Sequence, residues 1–395
     1  MQAFTFTTVA DIHCAPGSIE RLPSLLARYA AKRVLIVTDQ GIINAGLLAP
    51  VQSLLESAGL LISVFADVVA DPPELIVLEA VEHAKRNQAE VVIGLGGGSS
   101  LDVAKLVALL AHPDCSQPLA DMYGVDQVTT TPLPMIHIPT TAGTGSEVTP
   151  IAIVTTGETT KLGVVSRHLL PDIALLDANL TLGLPGPVTA ATGIDAMVHA
   201  IEAYTSKHKK NPVSDMYACQ ALRLLVGNIE RVMLDGQDVE ARQNMLLGSM
   251  LAGQAFANSP VAAVHALAYP LGGHYHIPHG LSNALVLPQV LRFNVSHARA
   301  AYAELARVIL PQQAHVNDEG VMAERFIQAL ERLIGVCDLP ARLRDVPILH
   351  EHHRRIPEED LPMLAKAAMQ QTRLLVNNPR DVALNDALKI YQASY

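Results

Sequence analysis

The hydrophobic pattern of this chain changes once, near residue 184, and the change limits the folds that the chain can adopt. Before that point, short runs rich in Val, Ile and Leu alternate with amphipathic stretches. The runs predict strands at 33–38, 60–65, 90–95, 135–139 and 173–176, and the stretches predict helices at 51–58 and 74–87. Strands separated by helices imply β-α-β crossovers, so residues 1–183 are predicted to form an α/β domain with a mostly parallel sheet.

The second half of the chain reads as helical throughout. After residues 184–187 (LPGP) the strand signal fades, and the Pro-Gly-Pro break marks a domain boundary. Apolar residues at helical spacing predict helices at 190–206, 215–233, 240–257, 298–308 and 322–334. We therefore expect an all-α domain over 184–395, and a ligand in the cleft between the two domains.

Composition excludes several classes of protein. Half of the 395 residues are hydrophobic and 17% are charged, which rules out intrinsic disorder. The 38 acidic residues outnumber the 28 basic ones, and a net acidic surface repels nucleic acid and anionic lipid. No apolar run approaches the ~20 residues needed to span a bilayer. We expect neither a nucleic-acid partner nor a membrane partner.

Cysteine usage and the first residues point to the cytoplasm. The four cysteines lie far apart and form no C-x-x-C pair, so nothing indicates an oxidising compartment. The first ten residues carry no positive charge and no apolar segment of signal-peptide length. The expected location is cytoplasmic.

A glycine-rich turn at 94–100 (GLGGGSS) follows a predicted strand and opens a helix expected near Leu101. Exposed backbone N–H groups at such a turn can bind a pyrophosphate. The spacing departs from the usual dinucleotide motif because Ser99 stands where a third glycine is usual. A tight turn with Ser99 as helix N-cap is the alternative. The candidate cofactor contacts are Gly96, Gly97, Gly98 and Ser99.

Two acids, one well before this turn in the sequence and one just after it, are further cofactor candidates, each with a structural alternative. Asp39 ends the predicted strand 33–38, where a carboxylate could accept hydrogen bonds from a ribose and repel a 2′-phosphate. It could equally be a turn residue. Asp102 lies three residues after Ser99, which matches a capping box that secures a helix start.

A polar loop at 139–149 (PTTAGTGSEVT) also follows a short predicted strand. Its hydroxyls and exposed N–H groups suit a ribose or a phosphate. An ordinary polar loop is the alternative.

Histidine usage points to a metal. The chain has 16 His and no Trp. Asp195 and His199 lie four apart, which on a helix places both side chains on one face. With His265 and His279 they give one carboxylate and three imidazoles, a set that suits a divalent transition ion and leaves room for a substrate oxygen. Ordinary core histidines are the alternative for any one of them.

These motifs together resemble the iron-containing (group III) alcohol dehydrogenases, a family that includes lactaldehyde reductase and 1,3-propanediol dehydrogenase. The resemblance runs from about residue 10 to about residue 300. It is carried by residues 96–99 (GGGS), 139–149, 193–196 (GIDA), 199–204 (HAIEAY), 278–280 (PHG) and 283–284 (NA).

The resemblance implies a dehydroquinate synthase-like fold, with a dinucleotide-binding domain and a helical metal domain that holds Fe²⁺ or sometimes Zn²⁺. It also implies a homodimer or a larger homo-oligomer. By position, the implied metal ligands are Asp195, His199, His265 and His279. The implied cofactor contacts are Asp39, which favours NAD over NADP, the pyrophosphate loop of Gly97, Gly98 and Ser99, and Thr140, Thr141 and Thr144.

One departure from the family falls beside the site. The family often has a second histidine four residues after the third ligand, and here that residue is Tyr269. On a helix, Tyr269 lies one turn beyond His265 on the same face, so its hydroxyl could act on substrate or nicotinamide. Simple packing is the alternative. We predict catalytic roles for Tyr269 and His279.

The predicted function is that of a metal-dependent NAD(H) alcohol dehydrogenase. It would interconvert a small alcohol, diol or hydroxy acid with its aldehyde or ketone, by hydride transfer in the interdomain cleft. A hydroxyacid-oxoacid transhydrogenase that recycles its cofactor in place is the main alternative. A dehydroquinate synthase-like lyase is disfavoured because no basic cluster accompanies the ligands, and a non-enzymatic binding protein would have no reason to keep them.

Overall fold

The computed structural model of the chain describes residues 3–157, 160–348 and 355–395. They form two compact units. One is Thr7–Gly183, and the other is Leu184–Tyr395 together with the described residues before Thr7. Phe6 belongs to the second unit and packs on Tyr217, with ring centroids 5.5 Å apart.

The first unit alternates strands and helices. Its described strands are β1 (Asp11–Cys14), β2 (Arg33–Asp39), β3 (Leu61–Val68), β4 (Val91–Gly96), β5 (Gly124–Val125), β6 (Met135–Pro139), β7 (Ile151–Thr156), β8 (Thr160–Val165) and β9 (Ile173–Leu176). Its described α-helices are α1 (Leu22–Leu26), α2 (Gln40–Asn44), α3 (Leu48–Ser57), α4 (Glu74–Arg86) and α5 (Gly98–Leu110).

Six strands form one sheet in the order β1-β9-β6-β4-β2-β3, and every pairing in it is parallel. A smaller sheet, β5-β8-β7, contains the antiparallel pair β7–β8. The predicted α/β class with a mostly parallel sheet is confirmed. From β2 the chain crosses to β3 on one side and then to β4 on the other, so the strand order reverses between β2 and β4. Loops at such a switch point are the usual ligand site of an open parallel sheet.

Alternation along β2 explains why helices cover both faces of the sheet. Leu35 and Val37 join one apolar core, which also contains residues of α4 and α5. Val34 and Ile36 point the other way, into a second core with residues of α1 and α3. Burial on both faces is typical of parallel sheets and explains the continuous apolar run that predicts this strand.

The second unit is built from helices in its described part, apart from an isolated bridge between Pro347 and Arg355. The helices are α6 (Gly186–Thr205), α7 (Pro212–Leu234), α8 (Val239–Asn258), α9 (Ala263–Tyr275), α10 (His279–Ile309), α11 (Glu319–Val336), α12 (Leu361–Ala368), α13 (Thr372–Leu375) and α14 (Leu384–Ser394). Helix α6 packs against α7, α8 and α10. Over the described parts of the chain, no helix is both long and apolar enough to cross a bilayer.

Several helices and strands of the structure were not predicted, or were predicted only in part. The helix predicted at 298–308 is the last part of the 31-residue α10, and α9 was not predicted. Most of α9 is buried, from Ala263 to Ala268 without interruption, so it lacks the polar face that marks an amphipathic helix. Strands β7 and β8 were also missed. They pair with each other as a hairpin away from the main sheet, and both are only partly buried.

Candidate active site

Three helices of the second unit bring the four predicted metal ligands together. Helix α6 carries Asp195 and His199 one turn apart, α9 carries His265, and α10 begins at His279. One ligand atom from each residue lies within 4.8 Å of the others. Within the described residues, this is the one cluster of three or more His, Cys, Asp or Glu side chains with that geometry.

The Asp195 carboxylate is the common neighbour of the three imidazoles. Its Oδ1 atom lies 3.9 Å from Nε2 of His199, 3.7 Å from Nε2 of His265 and 3.6 Å from Nε2 of His279. The side chains of Asp195, His199 and His265 are buried, but that of His279 is 33% exposed. The cluster is therefore accessible on the His279 side, and an accessible side is what a substrate oxygen needs.

The electrostatics of the cluster keep Asp195 ionised. Burial alone would raise the pKa of its carboxyl group. The imidazoles, His199 foremost, and a hydrogen bond from Asn283 outweigh burial, so the pKa lies below its ordinary value. A buried carboxylate held in its charged form among imidazoles is a ready cation ligand.

Close packing of two helices places His279 beside Asp195. Helix α10 approaches α6 at Gly280, where an added Cβ atom would lie 2.2 Å from the carbonyl oxygen of Ala191. Only glycine permits this approach. Because Gly280 follows His279 directly, the contact fixes where the His279 ring enters the cluster.

Asn283 gives a test of whether these residues fit a metal ion. Its Nδ2 atom donates to Oδ1 of Asp195 at 2.6 Å and lies 3.4 Å and 3.3 Å from Nε2 of His265 and His279. Its Oδ1 atom is buried and has no hydrogen-bond partner among the described residues. The amide thus turns its donor towards the cluster and leaves its acceptor unsatisfied. More acceptors converge here than two amide hydrogens can satisfy, so the residues fit a cation.

The donor set also indicates which ions fit. Imidazole nitrogens with one carboxylate suit Fe²⁺ and Zn²⁺ alike.

Glu202 is a residue of this site that the sequence reasoning did not single out. Its carboxylate accepts a hydrogen bond from Nδ1 of His265 at 2.7 Å. The spacing of Asp195, His199 and Glu202 is i, i+4, i+7, which places all three on one face of α6 and could have identified it.

Aromatic rings line the cluster. Residues 265–269 lie within helix α9, which meets the condition set for Tyr269, and the Tyr269 ring centroid lies 5.8 Å from that of His279. Phe256 stacks on His199, with ring centroids 4.4 Å apart. Tyr269 therefore lies beside a predicted ligand, where its catalytic role stays a prediction.

The predicted cofactor residues of the first unit meet at the carboxyl ends of β2 and β4, where the strand order reverses. Asp39 ends β2 and caps α2: its Oδ1 accepts from the backbone N–H of Ile42 at 3.1 Å. Its Oδ2 accepts from the Ser100 hydroxyl at 3.0 Å. Asp39 is thus both a turn residue and a neighbour of the glycine-rich turn.

The glycine-rich turn and the polar loop at 139–149, here named the threonine loop, are in direct contact. The backbone N–H of Thr140 donates to the carbonyl of Gly96 at 3.0 Å. A Cβ atom on Gly97 would lie 3.7 Å from Thr141, and one on Gly98 would lie 2.6 Å from Thr144. The two loops thus form one surface, to which the first N–H groups of α5 contribute.

The capping box proposed for Ser99 and Asp102 is wrong. Helix α5 begins at Gly98, not near Leu101, and its N-cap is Gly97 without a side-chain cap. Because Ser99 is already inside the helix, it cannot cap it. Asp102 faces β7 and the threonine loop: it accepts from the Ser146 hydroxyl at 2.5 Å and from the N–H of Ile153 at 2.9 Å. These contacts support the loop, and its predicted contact with a cofactor stays a prediction.

A buried lysine forms hydrogen bonds to the end of the threonine loop and to the start of β7. Lys105 is fully buried, and its Nζ atom donates to Ser146 at 2.8 Å, to Thr149 at 3.2 Å and to the carbonyl of Ile151 at 2.7 Å. Burial lowers the pKa of Lys105, and it raises the pKa of the neighbouring Glu147 to about 7. Lys105 was not predicted, although a lysine within the apolar run at 101–110 was a visible signal.

One known protein family matches nearly the whole chain, in two parts. The family described as iron-containing alcohol dehydrogenase matches residues 10–178, and the C-terminal part of the Fe-containing alcohol dehydrogenase family matches residues 189–395. The chain belongs to the iron-containing alcohol dehydrogenase family. This confirms the predicted family and enzyme class, an alcohol oxidoreductase of the NAD-dependent type.

Individual members of the iron-containing alcohol dehydrogenase family are similar to this chain over nearly their full lengths. The chain is 39% identical over 384 residues to long-chain-alcohol dehydrogenase 1 of Geobacillus thermodenitrificans, covering 97% of this chain and 94% of that protein. It is 33% identical to the NAD-dependent methanol dehydrogenase of Bacillus methanolicus, covering 95% of each. The crystal structure of a 1,3-propanediol oxidoreductase superposes with a TM-score of 0.93 and 32% identity over 100% of both chains.

Removal of one imidazole should abolish metal binding and leave cofactor binding intact. We predict that His279→Ala abolishes stoichiometric binding of Fe²⁺ or Zn²⁺ and alcohol oxidation, while NADH binding stays measurable, because the glycine-rich turn belongs to the other unit. Metal content by mass spectrometry and NADH fluorescence titration check this. Full activity in metal-free His279→Ala protein would contradict the site.

The opposite pattern is expected for the glycine-rich turn. Gly98→Val places a branched side chain against Thr144. We therefore predict at least tenfold weaker NADH binding with metal content unchanged. NADH binding at the parent affinity would show that the turn does not hold the cofactor.

Proposed function

We propose that this chain is a metal-dependent NAD(H) alcohol dehydrogenase that interconverts a small alcohol or diol, or a hydroxy acid, with its aldehyde or ketone. The observation that supports it most is the convergence of three imidazole Nε2 atoms on the Asp195 carboxylate. The part-exposed His279 offers the side from which a substrate oxygen could approach.

The residues of the cluster would hold a divalent ion through Asp195, His199, His265 and His279. When bound, such an ion acts as a Lewis acid towards a substrate oxygen and stabilises its negative charge during hydride transfer. The protein supplies a fixed geometry: two ligands on one rigid helix, and a third whose helix is held against it by Gly280.

The first unit would hold the dinucleotide. The N–H groups at the start of α5, with Gly97, Gly98 and Ser99, would bind the pyrophosphate, and Thr140, Thr141 and Thr144 would offer hydroxyls beside it. Asp39 would bind the adenosine ribose. NAD supplies the hydride acceptor, and the protein contributes orientation.

The surroundings of the cluster favour a neutral substrate. The apolar ring of Phe256 stacks on His199, and the ring of Tyr269 lies beside the part-exposed His279. The named relatives act on substrates from methanol to long-chain alcohols, so family membership alone does not fix the chain length. We therefore place neutral alcohols and diols before hydroxy acids.

A substrate panel tests this proposal. Enzyme reconstituted separately with Fe²⁺ and Zn²⁺ is assayed for NADH formation with short alcohols, diols and hydroxy acids, and for the reverse reaction with aldehydes. We expect NAD-dependent turnover with alcohols that is lost after chelation of the metal. Turnover of paired hydroxy and keto acids without added NAD would instead support a transhydrogenase.

The cofactor preference should depend on the charge of Asp39. A carboxylate that faces a 2′-phosphate costs on the order of 1–3 kcal/mol in a partly desolvated groove, so the parent enzyme should prefer NAD. Asp39→Asn keeps an Oδ1 acceptor for the N–H of Ile42 and removes the charge. We predict a rise of about tenfold in kcat/KM for NADP relative to NAD.

Ser100→Ala is the matched control, since it removes the hydrogen bond to Asp39 and keeps the charge; it should retain the NAD preference. Equal use of NAD and NADP by the parent enzyme would show that Asp39 does not face the ribose.

The Tyr269 hydroxyl should contribute to turnover. We predict that Tyr269→Phe lowers kcat by roughly 2–10-fold, the equivalent of one hydrogen bond, with metal content and NADH affinity nearly unchanged. Tyr204→Phe serves as the control, because Tyr204 donates to Glu304 at 2.5 Å and is not part of the cluster. Parent-like kinetics of Tyr269→Phe across a pH series would show that the hydroxyl has no catalytic role and that Tyr269 only packs at the site.

The cytoplasmic location and the homodimeric or larger assembly remain predictions that rest on the sequence and on the family.

A further inference from the structure

Glu202 is a buried carboxylate of α6 whose hydrogen bonds all reach the start of α9. Its Oε1 accepts from the N–H of Val264 at 2.6 Å, and its Oε2 accepts from the N–H of Ala262 at 2.9 Å. The same Oε2 accepts from Nδ1 of His265 at 2.7 Å. The Glu202 side chain is 5% exposed, so these partners replace water.

The two backbone contacts make Glu202 the cap of α9. The N-cap residue of α9, Ala262, has no side chain that could accept a hydrogen bond from the first turn. A carboxylate from α6 satisfies two N–H groups there instead, and a negative charge at a helix N-terminus is favourable. Glu202 thereby ties α9 to the helix that carries Asp195 and His199.

The third contact determines how His265 presents its ring. A neutral imidazole has one N–H, and the carboxylate of Glu202 at 2.7 Å draws it to Nδ1. The lone pair is then on Nε2, which lies 3.7 Å from Oδ1 of Asp195 and faces the cluster. A carboxylate that holds the far nitrogen of a ligating histidine fixes the ring and raises its basicity.

We propose that Glu202 is a positioning residue that makes His265 a metal ligand, by selecting its Nδ1–H tautomer and by orienting its ring. This inference rests on the metal centre of the proposed function. One face of α6 then supplies two ligands, Asp195 and His199, and also the group that orients a third ligand from another helix.

Glu202→Gln tests this because an amide cannot satisfy all three donors. If the amide oxygen takes the Oε2 position, the NH₂ group opposes the N–H of Val264. If it takes the Oε1 position, the NH₂ group faces Nδ1 of His265 and favours the other tautomer, in which Nε2 carries the hydrogen. Both arrangements remove the negative charge that raises the basicity of the His265 ring, and the second also removes the lone pair that a metal needs.

A matched control separates orientation of the imidazole from anchoring of the helix. Tyr391 is buried and donates to the carbonyl of Leu267 at 2.6 Å, so Tyr391→Phe removes an anchor of α9 and leaves the Glu202–His265 hydrogen bond in place. Zn²⁺ affinity is measured by chelator competition for the parent protein and both variants. The Co²⁺ visible spectrum and the Tm of the metal-free proteins are measured alongside.

We expect Glu202→Gln to bind Zn²⁺ about 10–100-fold more weakly and to change the Co²⁺ spectrum. Tyr391→Phe should lower Tm and keep the parent Zn²⁺ affinity and Co²⁺ spectrum. Parent-like Zn²⁺ affinity in Glu202→Gln would overturn the inference. An equal loss of affinity in both variants would also overturn it, because Glu202 would then act as a helix anchor. Failure of the parent protein to bind Zn²⁺ would instead count against the proposed function.

A second measurement needs no variant at Glu202 that folds. Histidine ring ¹⁵N spectra of the Zn²⁺-loaded protein, with His265 assigned by its loss in His265→Asn, report which nitrogen carries the hydrogen. We expect a protonated Nδ1 and a Zn²⁺-shifted Nε2. A protonated Nε2 in His265 would contradict the proposal.

Discussion

The chemistry of the helical unit depends on one buried carboxylate that is kept ionised among imidazoles. Asp195 would be costly in an apolar helix on its own, because burial opposes its charge. The three histidines, when protonated, lower its pKa below the ordinary value in spite of burial. When neutral, the same rings direct lone pairs at one point, where a cation is more favourable than an amide donor such as Asn283. Gly280 and Glu202 are explained by the need to hold this geometry.

The α/β unit depends on a separate arrangement, in which backbone N–H groups are exposed where an anion could bind. The strand order reverses between β2 and β4, so the loop after β4 opens beside Asp39. Glycines in this loop allow contact with the threonine loop, and buried Lys105 and Asp102 hold that second loop in place. Polar groups inside the unit thus support a surface that carries little charge of its own.

The sequence predicted local features better than long-range ones. The spacing of Asp195 and His199 showed that they share a face of α6. His265 and His279 were candidates by residue type, and the family resemblance grouped them with that pair, since no periodicity reveals that they lie near it. The capping box at Ser99 is wrong because the helix begins at Gly98, about one turn earlier than the hydrophobic pattern suggested. Lys105 and Glu202 were missed since their partners, Ser146 and the start of α9, are distant in sequence. Pattern reasoning finds the groups on one element and does not find the contacts between elements.

In the proposed enzyme, Asp195 and the three imidazoles hold one catalytic metal ion. Anomalous diffraction from crystals of Fe²⁺- or Zn²⁺-loaded enzyme, recorded on both sides of the metal absorption edge, tests it most directly. We expect a single strong peak bounded by one Asp195 oxygen and by the Nε2 atoms of His199, His265 and His279. A peak at another set of side chains, or none in protein that is active, would contradict it.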